Sequence, residues 1–292
     1  MPQCNLCPRA CDVDRAGGAR GFCGASDVMR VARAACHPYE EPCISGTRGS
    51  GTVFFSGCSL RCIYCQNRAI SRADVGRAVT PAELCDIFLS LQEKGAHNIN
   101  LVTPTHHAEG ILAALELAKG KLHIPVVYNC GGYERVETLA RFAGLVDVYL
   151  PDFKYISPEL SYAYSAARDY AEVATAALAE MFRQVGGVRF DAAGLMTRGV
   201  LVRHLVLPGA RADSVAVLDR IADTLPVGDI RLSLMRQYTP DFAPADAPAP
   251  LRRRLTSFEY DAVAAHAEEL LFEGYFQSRA SVGTAFTPDF DL

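Results

Sequence analysis

Beyond residue 50 the chain alternates short, almost continuously apolar runs with longer stretches whose apolar residues return at helical spacing. That alternation predicts a parallel sheet covered by helices. Six runs read as strands: Thr52 to Ser56, Ile99 to Thr103, Val126 to Asn129, Val146 to Leu150, Val200 to Leu207 and Ile230 to Leu234. None shows the polar alternation of a half-exposed strand, as expected where both faces are covered. Between the first two runs, Thr80, Pro81 and Glu83 form a capping box with proline at the first helical position. Leu84, Ile87, Phe88 and Leu91 then repeat at helical spacing until Gly95. Asp169 with Glu172, and Thr256 with Glu259, predict two further helix starts of the same kind.

The fold class that follows is α/β, a partial (β/α)6 barrel of the TIM type over residues 51–273. A Cys-rich segment, residues 1–50, precedes it, and residues 274–292 form a C-terminal extension. Thr239 to Pro250, rich in Pro, Ala and Asp, reads as a loop. Tyr275, Phe276, Phe286 and Phe290 make the tail too aromatic for a disordered end, so it is expected to pack back on the barrel. A chain of 292 residues, half of them hydrophobic, can bury one large core.

A formal net charge of -4, with Arg252 to Arg254 as the one cationic cluster, argues against a nucleic-acid or membrane-surface partner. The first residues lack a signal peptide's basic start and apolar stretch. No run of about 18 apolar residues could span a bilayer. A soluble, cytoplasmic protein is expected. In such a reduced compartment, close cysteine spacings point to metal or catalytic chemistry. Nine of the eleven cysteines precede residue 66. The two that stand alone are Cys85, placed within a helix and expected in the core, and Cys130, at a strand end.

The first strand runs directly into Ser56-Gly57-Cys58-Ser59-Leu60-Arg61-Cys62-Ile63-Tyr64-Cys65-Gln66-Asn67. Three thiolates on one short loop suit an iron–sulfur cubane that lacks its fourth protein ligand, leaving one iron open to another molecule. A zinc knuckle or an ordinary Cys-rich loop is the alternative, but zinc sites usually join a cysteine pair to a distant second pair. With Tyr64 before its last cysteine, the loop resembles the Cys-x3-Cys-x2-Cys hallmark of the radical S-adenosylmethionine (SAM) superfamily. Gly57 and the Cys65-Gln66-Asn67 ending look most like pyruvate formate-lyase activating enzyme and its uncharacterised relatives. The similarity runs from about Gly51 to Pro240.

The resemblance implies that Cys58, Cys62 and Cys65 hold a 4Fe-4S cluster whose open iron chelates SAM. Reductive cleavage would give methionine and a 5'-deoxyadenosyl radical that abstracts hydrogen from a substrate. An electron donor such as flavodoxin or ferredoxin is implied as a partner.

In such barrels the site lies at the C-terminal strand ends, which here are unusually polar. After the second strand come Thr103, Pro104, Thr105, His106 and His107, where the family usually has Gly-Gly-Glu-Pro. Thr105 or the local backbone is the candidate substitute, and His106 reads equally as a helix-start residue. The third strand ends in Asn129-Cys130-Gly131-Gly132-Tyr133-Glu134, whose glycines suit either close approach to a ligand or a tight turn. Asp152 and Lys154 follow the fourth strand as a local ion pair or, by resemblance, as the Asp-x-Lys motif of glycyl radical activating enzymes. There the Asp can also help bind a monovalent cation. Arg203, a charge within an apolar run, needs a partner, and by resemblance it meets the methionine carboxylate. His204 reads as structural. Met235, Gln237 and Tyr238 are expected at the substrate end. The implied cofactor shell is therefore Tyr64, Asn67, Thr103, Thr105, Asn129, Asp152, Lys154 and Arg203.

Cys4, Cys7, Cys11 and Cys23 could close a structural zinc site or hold an auxiliary iron–sulfur cluster, and spacing alone does not choose. A metal there would supply folding energy to a segment with little apolar sequence. The segment resembles a less understood branch of activating-enzyme-like proteins. Cys36 and Cys43 read as spare ligands or as buried small residues. Three functions remain open. One is hydrogen abstraction from a protein glycine, a second is radical attack on a side chain or small molecule, and the third is a zinc-stabilised binding protein without catalysis.

Overall fold

The computed structural model describes residues 4–278 and residue 290. Its strands are β1 (Met29–His37), β2 (Ser50–Phe55), β3 (Arg77–Val79), β4 (Ile99–Val102), β5 (Val126–Cys130), β6 (Val148–Pro151), β7 (Arg189–Phe190), β8 (Met196–Leu205), β9 (Arg231–Met235) and β10 (Gly274–Phe276). All six apolar runs are strands, and β2, β4, β5, β6, β8 and β9 pair parallel in that order. Among the described residues the sheet runs β10-β9-β8-β6-β5-β4-β2-β1-β3 and does not close. It is an α/β fold of the partial-barrel kind.

Helices cover the convex face because their periodic apolar side chains meet those of the strands. Pro81–Glu93 and Ser257–Glu269 both start on complete capping boxes, at Thr80 and Thr256. Glu259 also forks with Arg253, which accounts for part of the cationic triplet. Asp169 does precede the helix Tyr170–Val185 but makes no cap; its carboxylate accepts the Tyr133 hydroxyl at 2.7 Å instead. Cys85 is a buried core residue.

Four strands escape the hydrophobic pattern. Antiparallel β1 carries a register shift between Val31 and Arg33, which breaks its alternation. β3 and β7 are too short to make a pattern. β10 pairs parallel to β9 from Gly274, where a Cβ would stand 1.9 Å from the Leu232 carbonyl oxygen. Phe276 packs on the core and Phe290 on Phe54, with ring centroids 5.4 Å apart; Phe286 lies outside the described residues.

On the concave face, period-two alternation stacks two layers. The lower is apolar: Val127, Val148, Leu150 and Leu201 pack with Cys43 and Ile44 from the short helix Pro42–Ser45, which plugs the N-terminal ends of the strands. Asn98 ties that plug down by donating to the Ile44 carbonyl at 2.7 Å. Two residues further along β5, β6 and β8 come Asn129, Asp152 and Arg203, the polar layer above. Cys43 is thus a buried plug residue and Cys36 packs against the core.

Candidate active site

β2 ends at the turn Ser56-Gly57. Gly57 has φ +90°, and a Cβ there would lie 3.0 Å from the Cys23 carbonyl oxygen and 3.1 Å from His106 Nε2. The loop beyond is pinned by Leu60, which is fully buried, and Arg61 takes a left-handed φ of 49°. Leu60 N donates to Cys58 Sγ at 3.4 Å and Ser165 Oγ to Cys62 Sγ at 3.0 Å. Burial pushes the Cys58 thiol up to about 12, and the neighbouring Cys62 and Cys65 push it the same way. Cys65 is raised by burial and by Cys62. Cys58 and Cys65, neighbours with raised thiols, ionise together only against a strongly positive partner, so with Cys62 the donor set fits an iron–sulfur cluster.

Cys58, Cys62 and Cys65 line a cavity of about 190 Å³ together with Tyr64, Asn67, Thr103, Asn129, Asp152, Lys154 and Arg203. The structure thus gathers seven of the eight implied shell residues around the cysteines. Tyr64 forms the aromatic wall, its hydroxyl 2.5 Å from that of Tyr155, with Tyr164 and Tyr238 at its edges. Thr103, β-branched, is held at φ 58°, a strained conformation that tends to sit at working sites. Asn67 Oδ1 is buried without a partner, leaving an acceptor for a ligand.

Charge is concentrated on one network. Lys154 Nζ donates to Asp152 Oδ2, and Arg203 reaches Asp152 Oδ1 at 2.9 Å, Asn129 Oδ1 at 2.6 Å and Glu40 Oε2 at 3.2 Å. Burial alone would raise the Asp152 carboxyl, but Lys154 and Arg203 outweigh it and hold it below its ordinary value. Burial would likewise lower Lys154 and Arg203, yet the facing carboxylates keep both raised and cationic. Both Asp152 oxygens are engaged, so a monovalent cation there would have to share them with Lys154 and Arg203. Glu40 went unnoticed in the sequence, where nothing marks it among residues 38–42. It lies just ahead of the plug helix, accepts Asn100 Nδ2 at 3.1 Å as well as Arg203, and is pushed by burial to about 7 against the pull of Arg203.

A larger cavity, about 610 Å³, shares Asn67, Asn129, Arg203, Met235 and Gln237 with the first. Its far walls are Glu40, Glu41 and the rings of Tyr39, Phe54, Tyr275 and Phe276. Met235 and Gln237 therefore span both spaces, while Tyr238 lines the cysteine cavity.

Thr105 is the shell residue that the structure leaves out. Its hydroxyl donates to Glu134 Oε1 at 2.7 Å, away from both cavities. His106 Nε2 lies 2.6 Å from the Ser56 carbonyl oxygen, and burial pushes the imidazole to about 4, so it is a neutral strut. His204 is also neutral, pushed by burial to about 4 with Nδ1 2.7 Å from the Phe153 carbonyl oxygen. The paired glycines divide the two roles considered for them. Gly131 lines the cysteine cavity, where a Cβ would strike Leu60 Cδ1 at 2.6 Å, whereas Gly132, at φ +78°, makes the turn.

The model of the Radical SAM superfamily matches residues 52–214, more than half of the chain. The chain belongs to this superfamily. The matched span contains the three-cysteine loop and the strand ends from β2 to β8, and membership implies an enzyme using a 4Fe-4S cluster and SAM. A curated relative, the uncharacterized protein MJ0674 of Methanocaldococcus jannaschii, is 28% identical over 276 residues, covering 91% of this chain and 74% of its own. None of the described helices of this radical SAM protein is long and apolar enough to cross a membrane.

Proposed function

We propose that this radical SAM enzyme abstracts hydrogen from a backbone glycine of a partner protein, taking its electron from a flavodoxin- or ferredoxin-type donor. When bound, the cluster and SAM supply the reductive cleavage that yields methionine and a 5'-deoxyadenosyl radical. The chain's own residues bind, orient and shield. Cys58, Cys62 and Cys65 would hold the cluster. Arg203 and Lys154 offer buried positive charge to the methionine carboxylate, kept in place by Asp152. Asn67 Oδ1 offers an acceptor, and the Tyr64–Tyr155 wall keeps water from the cysteines.

The observation that carries this reading is the junction of the two cavities at Arg203, beside the Asp152-x-Lys154 pair. The larger cavity is walled by the side-chain amides Gln66, Asn67, Gln237 and Gln277, groups that pair with a peptide backbone. Reduced enzyme incubated with candidate glycyl radical proteins should produce a glycyl signal in electron paramagnetic resonance. Its absence with every co-occurring candidate would sink this reading. The carboxylates of Glu40 and Glu41 favour a second one, in which the cavity takes a side chain or small molecule bearing a basic group. Cleavage coupled to a candidate small amine, with no protein partner, would select it. In either case Cys62→Ala should abolish 5'-deoxyadenosine formation.

A further inference from the structure

The amino-terminal cysteines lie outside the span matched to the superfamily and line neither cavity. None is in a disulfide. Their backbone nevertheless has the build of a metal-thiolate knuckle. Cys4 and its neighbours are clipped by Cys4 N to the Val13 carbonyl at 3.0 Å and Asp12 N to the Cys4 carbonyl at 3.1 Å. Ala10 and Asp12 take left-handed φ values of 38° and 56° to turn the chain between Cys7 and Val13. Each sulfur has an N–H nearby. Phe22 N donates to Cys11 Sγ at 3.3 Å and Arg15 Nη1 points at Cys4 Sγ from 4.0 Å. The Arg9 and Ala25 amides lie near enough to Cys7 and Cys23 to pull their thiols down against burial. An amide two residues on, turned back to the sulfur, is also what Leu60 provides for Cys58. Gly21 lies against Cys11, where a Cβ would be 2.8 Å from Sγ. Cys7 is within electrostatic reach of Cys11 and Cys23, and Cys23 of Cys4 and Cys11.

We infer that Cys4, Cys7, Cys11 and Cys23 hold a second iron–sulfur cluster, closed by four thiolates. Among the described residues no three histidine, cysteine or acidic side chains converge tightly enough to hold a single ion. That is as true of Cys58, Cys62 and Cys65 as of the knuckle. The knuckle thus stands as the radical loop does, whose thiolates suit a multi-iron cluster and not a single ion. Four cysteines complete the ligands of such a cluster. The site grips the radical loop: Cys58 N meets the Cys23 carbonyl at 3.4 Å and Arg61 Nη1 the Phe22 carbonyl at 3.1 Å. Arg9, its guanidinium 3.9 Å from the Phe22 ring centroid, donates to the Ser59 carbonyl at 2.8 Å and the Ser165 carbonyl at 2.7 Å. The cluster orders the segment that fixes the first ligand of the loop.

The test is an iron and sulfide count on the full chain, reconstituted anaerobically with iron and sulfide and measured without SAM. With Cys58, Cys62 and Cys65 all changed to Ala, about four irons per chain and a visible charge-transfer band should remain. Adding Cys7→Ala and Cys23→Ala should remove both, while adding Cys85→Ala should not. If the loop variant does not fold, the wild-type chain decides, with about eight irons expected and about four overturning the inference. One zinc per chain at the knuckle, or no metal once the loop cysteines are gone, would also overturn it. The assignment of the loop fails separately, if its three substitutions remove no iron.

Discussion

The ends of β4 and β6 are both polar, and both meet the barrel's open face, yet they use their polar groups in opposite ways. Beyond Thr103, the polar groups at the β4 end turn away from both cavities: Thr105 donates to Glu134, Tyr128 donates to the same carboxyl at 3.1 Å, His106 braces Ser56, and the His107 ring is buried with neither nitrogen partnered. At the β6 end Asp152, Lys154 and Arg203 form a charged cluster with one side on the cysteine cavity. A polar strand end is thus evidence of a site only when its groups keep capacity toward a cavity. The difference lies in charge: neutral groups turned from the cavities build the scaffold, while buried ions held by one another serve a ligand.

Arg203→Ala should show the largest effect. It strips partners from Asp152 and Glu40, all three side chains being at most 17% exposed, so stability should fall by about 3–5 kcal/mol in denaturant titrations. SAM affinity of the folded fraction should drop about tenfold to a hundredfold, for a lost charge-assisted contact of about 1.5–3 kcal/mol. An unchanged affinity would remove Arg203 from the cofactor shell. Next comes Gly132→Ala, which supports the same end through the backbone. A Cβ at Gly132 would lie 2.2 Å from the Asp152 carbonyl oxygen and 2.9 Å from Tyr170 Oη, at a left-handed φ of 78°. Strain and overpacking together should cost about 2–4 kcal/mol. Because Asp152 must move, SAM binding should weaken too; normal binding in a destabilised protein would uncouple the turn from the site.

How much of this was legible depended on whether a feature was local. The capping boxes at Thr80 and Thr256, the six apolar runs and the Cys58 loop are short-range patterns, and the physics that fixes them acts within a few residues. Asp152 and Lys154 were found because a strand's period of two puts them on one side. Glu40 was not, because its importance comes from Arg203, Asn100 and Asn129, far off in sequence and brought to it only by the plug. Thr105 misled for the mirror-image reason. Its place in the chain fitted the site, but its partner Glu134, on the next strand's loop, could not be read from position. β1 was hidden by its bulge, and β10 by being three residues long.

Thr105→Val should cost about 1–2 kcal/mol, leaving Glu134 with one hydroxyl donor fewer in a buried place. Its 5'-deoxyadenosine yield per folded molecule should equal that of the wild type. A selective loss of cleavage at unchanged stability would return Thr105 to the cofactor shell and blur the contrast between the two strand ends.

Glu134→Gln offers the smallest and most specific test, since it reads charge alone. Burial pushes the Glu134 carboxyl to about 7, against hydrogen bonds from Thr105, Tyr128 and Cys130 that pull it down; its ordinary value is 4.5. Between those values the folded protein keeps a proton that the unfolded chain has released. Stability therefore falls as pH rises through that window and levels off above it. The glutamine variant should lose this part of the slope, at most about 1.4 kcal/mol per pH unit, in unfolding titrations between about pH 5 and 7. Glu40, also pushed to about 7, slopes the same way, so the variant should flatten the profile only in part. Asp152 provides the contrast: held below its ordinary value by Lys154 and Arg203, it stays ionised through the same window and loses its contribution only in more acid solution. Asp152→Asn should lower stability and change the slope between pH 5 and 7 only through Glu40, which loses a neighbouring carboxylate that helps to raise it. Equal slopes for wild type and Glu134→Gln would mean that the β4 end, too, carries a buried charge, and the two ends would no longer differ in kind.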